Sequence, residues 1–127
     1  MIKGIESVIL FSDNAEKLAL FYKDKVGLKV EFEGEMGENN ENVYVFKTTG
    51  GGGFSIMDHS KVKGKNKEPE RMMINFEVDD IKNSAKKIEE NGVKKIQDIY
   101  HVEDYGLIAT FEDIDGNYFQ LVQVKES

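Results

Sequence analysis

The sequence predicts an α+β fold made of two tandem β-α-β-β-β modules that form a cupped mixed β-sheet, with a helix packed against each module. Three observations indicate this fold: apolar residues alternate in eight short segments, two segments have helical spacing, and the order of segments repeats. The two halves align with an offset of about 65 residues. The helices are expected to cover one face of the sheets and to leave the other faces to form the cup.

The first module, about residues 1–58, begins with the alternating segment IESVILF, which predicts a strand. A helix follows in SDNAEKLALFYKDKVGL, with Asp13 as its N-cap, Glu16 completing a capping box and Gly27 at its end. KVEFEG, NVYVFKT and FSIMD then predict three strands. The run TTGGGGF lacks the Gly-Lys-Ser/Thr ending of a phosphate-binding loop, so it is interpreted as a hairpin turn.

The second module, about residues 72–127, repeats this order and begins with the strand MMINFEV. Its helix, DDIKNSAKKIEENG, is capped by Asp79 or Asp80 and ends at Gly92. The buried stripe of this helix is predicted at Ile81, Ala85 and Ile88. KKIQDIYHV, LIATFED and YFQLVQV predict the last three strands.

The segment between the modules, residues 59–71, contains four lysines and the chain's only proline. We interpret HSKVKGKNKEPER as a solvated, mobile linker because little of it can be buried. A phosphate-binding arm is the alternative, but no aromatic residue in the segment supports it.

Composition excludes several classes of function. The net charge of −7 disfavours nucleic-acid binding, and the absence of cysteine removes disulfides and thiolate chemistry. No apolar run approaches the roughly 20 residues of a membrane span, and the N-terminus shows no signal peptide. We therefore expect a cytoplasmic protein that binds neither membranes nor nucleic acids.

Two motifs resemble the vicinal-oxygen-chelate superfamily, which includes glyoxalase I, bleomycin-resistance proteins, extradiol dioxygenases and fosfomycin-resistance enzymes. They are SVILFSDNAEKLALFYKDKVGL and FEDIDGNYFQLVQ. In the second, Asp113-Ile114-Asp115-Gly116-Asn117 resembles the family's Asp-Pro-Asp-Gly-Asn turn, with Ile114 in the proline position. The resemblance extends over nearly the whole chain and implies the fold, but this fold hosts isomerases, transferases, dioxygenases and plain binding proteins.

The resemblance also implies where a divalent metal would be held, on the first and last strands of each repeat. The corresponding residues here are Ser7, Ser55, Met73 and Gln120. They include neither an imidazole nor a carboxylate, which are the donors that such metals prefer. We therefore expect no metal and no other cofactor.

Strand residues that share a face with these four positions are predicted to line a ligand-binding cup. Together with Tyr105, which similar proteins place at the rim, the predicted ligand-binding residues are Ser7, Ile9, Phe11, Ser55, Met57, Met73, Asn75, Glu77, Tyr105, Tyr118 and Gln120. Such an apolar lining with a few polar groups suits a small-molecule pocket. The alternative is a cup filled by its own side chains or by a partner subunit.

The leading hypothesis is a metal-independent protein that binds a small, partly aromatic or cationic organic molecule, as bleomycin-resistance proteins do. Glu77 and the negative net charge favour a cation, and similar proteins form homodimers. The alternative is a metal-dependent glyoxalase-like lyase or isomerase with Glu77 as general base and His59 at the rim, although no electrophile can be named. A third possibility is an interaction domain. His59 and His101, the only histidines, are otherwise interpreted as surface or rim residues.

Overall fold

The computed structural model describes residues 1–126 and confirms the predicted fold class. The chain divides into two compact units, Met1–Gly64 and Lys65–Ser127, each with a four-stranded mixed sheet and one α-helix. No helix within residues 1–126 has both the length and the apolar character required to cross a membrane.

The first unit has strand order β1-β4-β3-β2, with β1 parallel to β4 and the other neighbours antiparallel. Its helix continues for one further turn in a π-helical geometry, Tyr22–Val26. The elements are β1 Ser7–Ser12, α1 Ala15–Phe21, β2 Val30–Met36, β3 Glu41–Phe46 and β4 Gly53–Asp58.

The second unit repeats this topology with strand order β5-β8-β7-β6, and β5 is parallel to β8. A short 3₁₀ turn, Pro69–Arg71, precedes its first strand. The elements are β5 Ile74–Glu77, α2 Ile81–Glu90, β6 Lys94–Val102, β7 Gly106–Glu112 and β8 Tyr118–Val124.

The N-cap prediction for α1 was wrong by one residue. Asn14, rather than Asp13, accepts a hydrogen bond from the backbone N–H of Lys17 at 3.1 Å. Asp13 instead accepts from the backbone N–H of Gly64 at 2.9 Å. Aspartate and asparagine are equally good caps, so the local sequence could not distinguish them. In α2 the cap is Asp80, one of the two predicted residues.

Each unit buries an aromatic pair between its sheet and its helix. In the first unit Phe46 stacks on Phe54 at 5.4 Å between ring centroids, and Tyr22 contacts Phe54 edge-on at 5.7 Å. In the second unit Phe111 and Phe119 stack at 5.8 Å. The equivalent pairs show that the internal repeat includes the core. The predicted helix stripe, Ile81, Ala85 and Ile88, is buried as expected.

The segment 59–71 carries hydrogen bonds that a solvated linker does not require. The backbone N–H of Asn66 donates to the carbonyl of Asp115 at 2.7 Å, and its side-chain amide donates to Asn117 at 3.0 Å. The four lysines of the segment are exposed, as expected for a solvated charge run. Asn66 therefore braces the turn between β7 and β8 within the second unit.

Candidate functional site

The sheet of the first unit has one face covered by α1 and an opposite face, called here the first open face. Phe54 points toward the helix, where it meets Tyr22, so alternation along β4 places Ser55 on the open face. Parallel pairing of β1 and β4 brings Ile9 beside Ser55, and Phe11 beside Met57. The predicted ligand-binding residues on this face are Ser7, Ile9, Phe11, Ser55 and Met57.

The first open face is mainly apolar. Ile9 and Phe11 are 43% and 39% exposed, whereas Ser55 is buried. Exposed aliphatic and aromatic groups around a buried hydroxyl can hold an apolar molecule while offering one hydrogen bond.

The second unit has an equivalent second open face on the side away from α2. Gln123 marks the helix side, because its side-chain oxygen accepts from the backbone N–H of Ile81, at the start of α2, at 2.9 Å. Alternation along β8 therefore places Gln120 on the open face. The predicted residues on this face are Asn75, Glu77, Tyr118 and Gln120, while Met73 immediately precedes β5 and Tyr105 lies in the turn before β7.

Gln120 is held in place by a residue that the sequence did not single out. Its Nε2 donates to the hydroxyl of Thr110 at 2.9 Å, across the β7–β8 ladder, and Asn75 is its neighbour on β5. The Gln120 side-chain oxygen forms no hydrogen bond with any residue between 1 and 126. It remains available to accept a hydrogen bond from a ligand.

The four positions that the resemblance implies for a metal do not fit one. They offer two serine hydroxyls, one thioether and one amide, and the amide nitrogen of Gln120 is committed to Thr110. Across residues 1–126, no group of three or more histidine, aspartate or glutamate side chains is arranged to hold a metal ion. This donor chemistry supports hydrogen bonding rather than coordination of zinc, nickel, iron or manganese.

The two candidate acid–base residues lie in different units. His59 follows β4, where its ring contacts Phe11 edge-on at 5.2 Å and its Nδ1 accepts from the backbone N–H of Lys61 at 3.1 Å. Its Nε2 therefore carries the proton in the neutral ring. Glu77, at the end of β5, is exposed and pairs with Val122.

The sequence and the fold are both similar to those of known proteins. The sequence profile described as "Glyoxalase/Bleomycin resistance protein/Dioxygenase superfamily" matches residues 4–121. An uncharacterized protein, YetH, of Bacillus subtilis (strain 168) is 29% identical over 121 residues, which are 95% of this chain and 98% of that protein.

Solved structures share the fold at low sequence identity. TnmS3, an antibiotic binding protein from Streptomyces sp. CB03234, superposes with a TM-score of 0.73 at 19% identity, over 98% of each chain. FosX, a genomically encoded fosfomycin resistance protein from Listeria monocytogenes, has a TM-score of 0.73 at 17% identity, over 98% of this chain and 96% of that chain. At these identities the similarity shows the fold alone.

Proposed function

The chain belongs to the glyoxalase/bleomycin resistance protein/dioxygenase superfamily, and we propose that it binds a small organic molecule on its open sheet faces without a resident metal. The observation that carries this proposal is the donor set at the four metal positions, which contains no imidazole and no carboxylate. Affinity then derives from apolar contact and hydrogen bonds made by the protein's own side chains.

The ligand chemistry follows from what the open faces expose. Ile9 and Phe11 offer apolar surface, Gln120 offers a fixed carbonyl acceptor, and Glu77 offers a negative charge. A partly aromatic molecule suits the first open face, and a molecule with a hydrogen-bond donor or a cationic group suits the second. The antibiotic-binding relative TnmS3 and the fosfomycin resistance protein FosX support a small-molecule ligand for this fold.

Two further features belong to the same proposal. The chain is a homodimer, because open sheet faces with exposed apolar side chains favour association. It acts in the cytoplasm, a reducing compartment in which disulfides are rare, and a chain without cysteine fits that compartment.

A ligand screen followed by mutagenesis tests the proposal. Small aromatic and cationic molecules are screened by thermal shift on chelator-treated protein, and the affinities of hits are measured by calorimetry. Phe11→Ala is expected to weaken the binding of ligands held on the first open face, and Gln120→Ala that of ligands held on the second, each by about tenfold, because each variant removes one main contact of its own face. Ile114→Ala serves as the control, since Ile114 is an exposed apolar residue in the β7–β8 turn.

Binding that needs added nickel or zinc, and that chelation abolishes, would contradict the proposal in favour of a metal-dependent lyase or isomerase. In that case Glu77→Gln is expected to abolish turnover of a thiol–methylglyoxal adduct. A broad screen in which no molecule stabilises the protein would instead favour an interaction domain.

A further inference from the structure

A groove of about 330 Å³ lies on the helix-covered side of the first sheet, opposite the first open face. We call it the α1 groove. One wall is a single helical stripe at i, i+3, i+4 and i+7 spacing, formed by Glu16, Ala19, Leu20 and Lys23. The other wall is formed by Val30 and Glu33 of β2 and Tyr44 of β3.

The polar side chains that line the α1 groove have no bonding partner among the described residues. Throughout residues 1–126, the side chains of Glu16, Lys23, Glu33 and Tyr44 form no hydrogen bond and no ion pair. Two carboxylates and a phenol thus border an apolar floor that includes Leu20, whose side chain is 47% exposed.

In the second unit the chain itself supplies a cation at the corresponding strand position. There the ammonium of Lys95, on β6, lies 3.0 Å from a carboxylate oxygen of Glu89 and 3.3 Å from one of Asp98. The hydrogen bond that Lys95 donates to Glu89 raises the pKa of Lys95. The pKa of Asp98 is lowered, first by the hydrogen bond that it accepts from the backbone N–H of Ile99 and then by Lys95. The chain's own ammonium joins the end of α2 to β6.

The internal repeat aligns this network with the α1 groove. Val30 pairs with Phe46 as Lys95 pairs with Phe111, and each phenylalanine stacks in the core of its unit. With the strand offset of 65 residues, Val30 stands in place of Lys95, Glu33 in place of Asp98 and Tyr44 in place of Ala109. Counted from the helix caps, Asn14 and Asp80, Lys23 stands in place of Glu89. The first unit keeps a carboxylate on the strand, has an apolar valine at the strand position of Lys95, and carries the ammonium of Lys23 on the helical wall instead of a carboxylate.

Two backbone irregularities border the α1 groove. The π-helical turn places Lys23 on its wall, with the backbone N–H of Gly27 donating to the carbonyl of Tyr22 at 3.0 Å. A β-bulge interrupts the β2–β3 ladder between Val30 and Phe32. The bulge has a counterpart in the second unit between Lys95 and Gln97, whereas the π-helical turn gives the first unit one more residue than the second between the helix cap and the glycine that follows the helix. Both kinds of irregularity are frequent beside binding sites, where they redirect side chains.

The electrostatics of Tyr44 favour a cation in the α1 groove. Burial raises the pKa of the Tyr44 phenol above 10.0, and the carboxylates of Glu16, Glu33 and Asp58 raise it further. Negative potential at the phenol oxygen disfavours an anion there and attracts a positive charge.

We infer that the α1 groove binds a small organic ammonium compound with a compact apolar body. Its ammonium group lies between the carboxylates of Glu16 and Glu33, beside the strand position that Lys95 has in the second unit, and donates to the hydroxyl of Tyr44. Its apolar body lies on Leu20 and Val30. This site is on the other face of the first sheet from the proposed ligand site and does not depend on it.

Phenethylamine is a suitable probe, with phenethyl alcohol and hydrocinnamate as its neutral and anionic counterparts. Titration followed by backbone amide NMR is expected to show saturable shifts in α1, β2 and β3 for the amine only. Glu16→Gln and Glu33→Gln are each expected to weaken binding by about two- to fivefold, within the range for exposed charge pairs. Glu35→Gln, on the same strand but not in the groove, is the control.

Val30→Lys places an ammonium at the strand position that Lys95 has in the second unit. This variant is expected to abolish phenethylamine binding, because its own ammonium occupies the place between the carboxylates. Equal binding of the alcohol, unchanged affinity in both glutamine variants, or no saturable shift up to the solubility limit would each overturn the inference. Shifts confined to Ile9, Phe11 and Ser55 would also overturn it, but would support the proposed site on the first open face. If the Val30→Lys variant does not fold, the phenethylamine affinities of Glu16→Gln and Glu33→Gln decide whether the inference holds.

Discussion

Phe119→Ala is expected to lower the free energy of unfolding by about 3–5 kcal/mol, the usual cost of deleting a buried phenylalanine ring. Phe119 is 0% exposed, stacks on Phe111 and contacts Phe76 edge-on at 6.0 Å. Its removal leaves a cavity between the sheet and α2 that the aromatic neighbours cannot fill without leaving their rotamers. Urea denaturation followed by circular dichroism measures the loss.

The internal repeat supplies matched controls for this prediction. Phe54→Ala removes the equivalent ring from the first unit and is expected to have a cost of the same size. Phe11→Ala, on the first open face, is expected to change stability by less than about 1 kcal/mol, because that side chain is substantially exposed. Equal losses for Phe11→Ala and Phe119→Ala would show that the faces are wrongly assigned.

Asp113→Ala is expected to cost about 3 kcal/mol of stability, since Asp113 is a buried carboxylate that organises the β7–β8 turn. Its Oδ1 accepts from the backbone N–H groups of Asp115 and Asn117, both at 2.9 Å. Its Oδ2 accepts from the side-chain amide of Asn117 at 3.0 Å. Alanine leaves these donors without an acceptor, and thermal unfolding measures the effect.

Asp113→Asn tests whether the turn requires the negative charge of Asp113 or only its acceptor oxygens. The amide keeps one oxygen for the backbone donors but replaces the other acceptor with an N–H₂ group that opposes the amide of Asn117. We expect a loss of about half that of alanine. If Asp113→Ala unfolds with the same midpoint as the unsubstituted protein, the turn does not depend on this carboxylate.

The fold could be predicted because the signals that specify it are local. Alternation in IESVILF and YFQLVQV gave the strand faces, and Gly27 and Gly92 marked the helix ends, where both adopt positive φ. The cap of α1 was misplaced because Asp13 and Asn14 are both capable caps, and only the bond from Gly64 to Asp13 distinguishes them.

Contacts between distant strands could not be predicted in the same way. The bond from Gln120 to Thr110 depends on the exact β7–β8 register, and alternation fixes only the face. The α1 groove was missed because Glu16, Glu33 and Tyr44 come together only after the π-helical turn and the β2 bulge have set their directions. Neither irregularity has a local sequence signature that periodicity detects.

Metal analysis tests the proposed function most directly. The protein is expressed with zinc, nickel, manganese and iron in the medium, purified without chelator, and measured by inductively coupled plasma mass spectrometry alongside Gln120→Ala. We expect far less than one ion per chain in both proteins, and a ligand affinity that chelation leaves unchanged, because Ser7, Ser55, Met73 and Gln120 provide no coordinating set. One tightly bound divalent ion per chain, lost in Gln120→Ala, would contradict a metal-independent function.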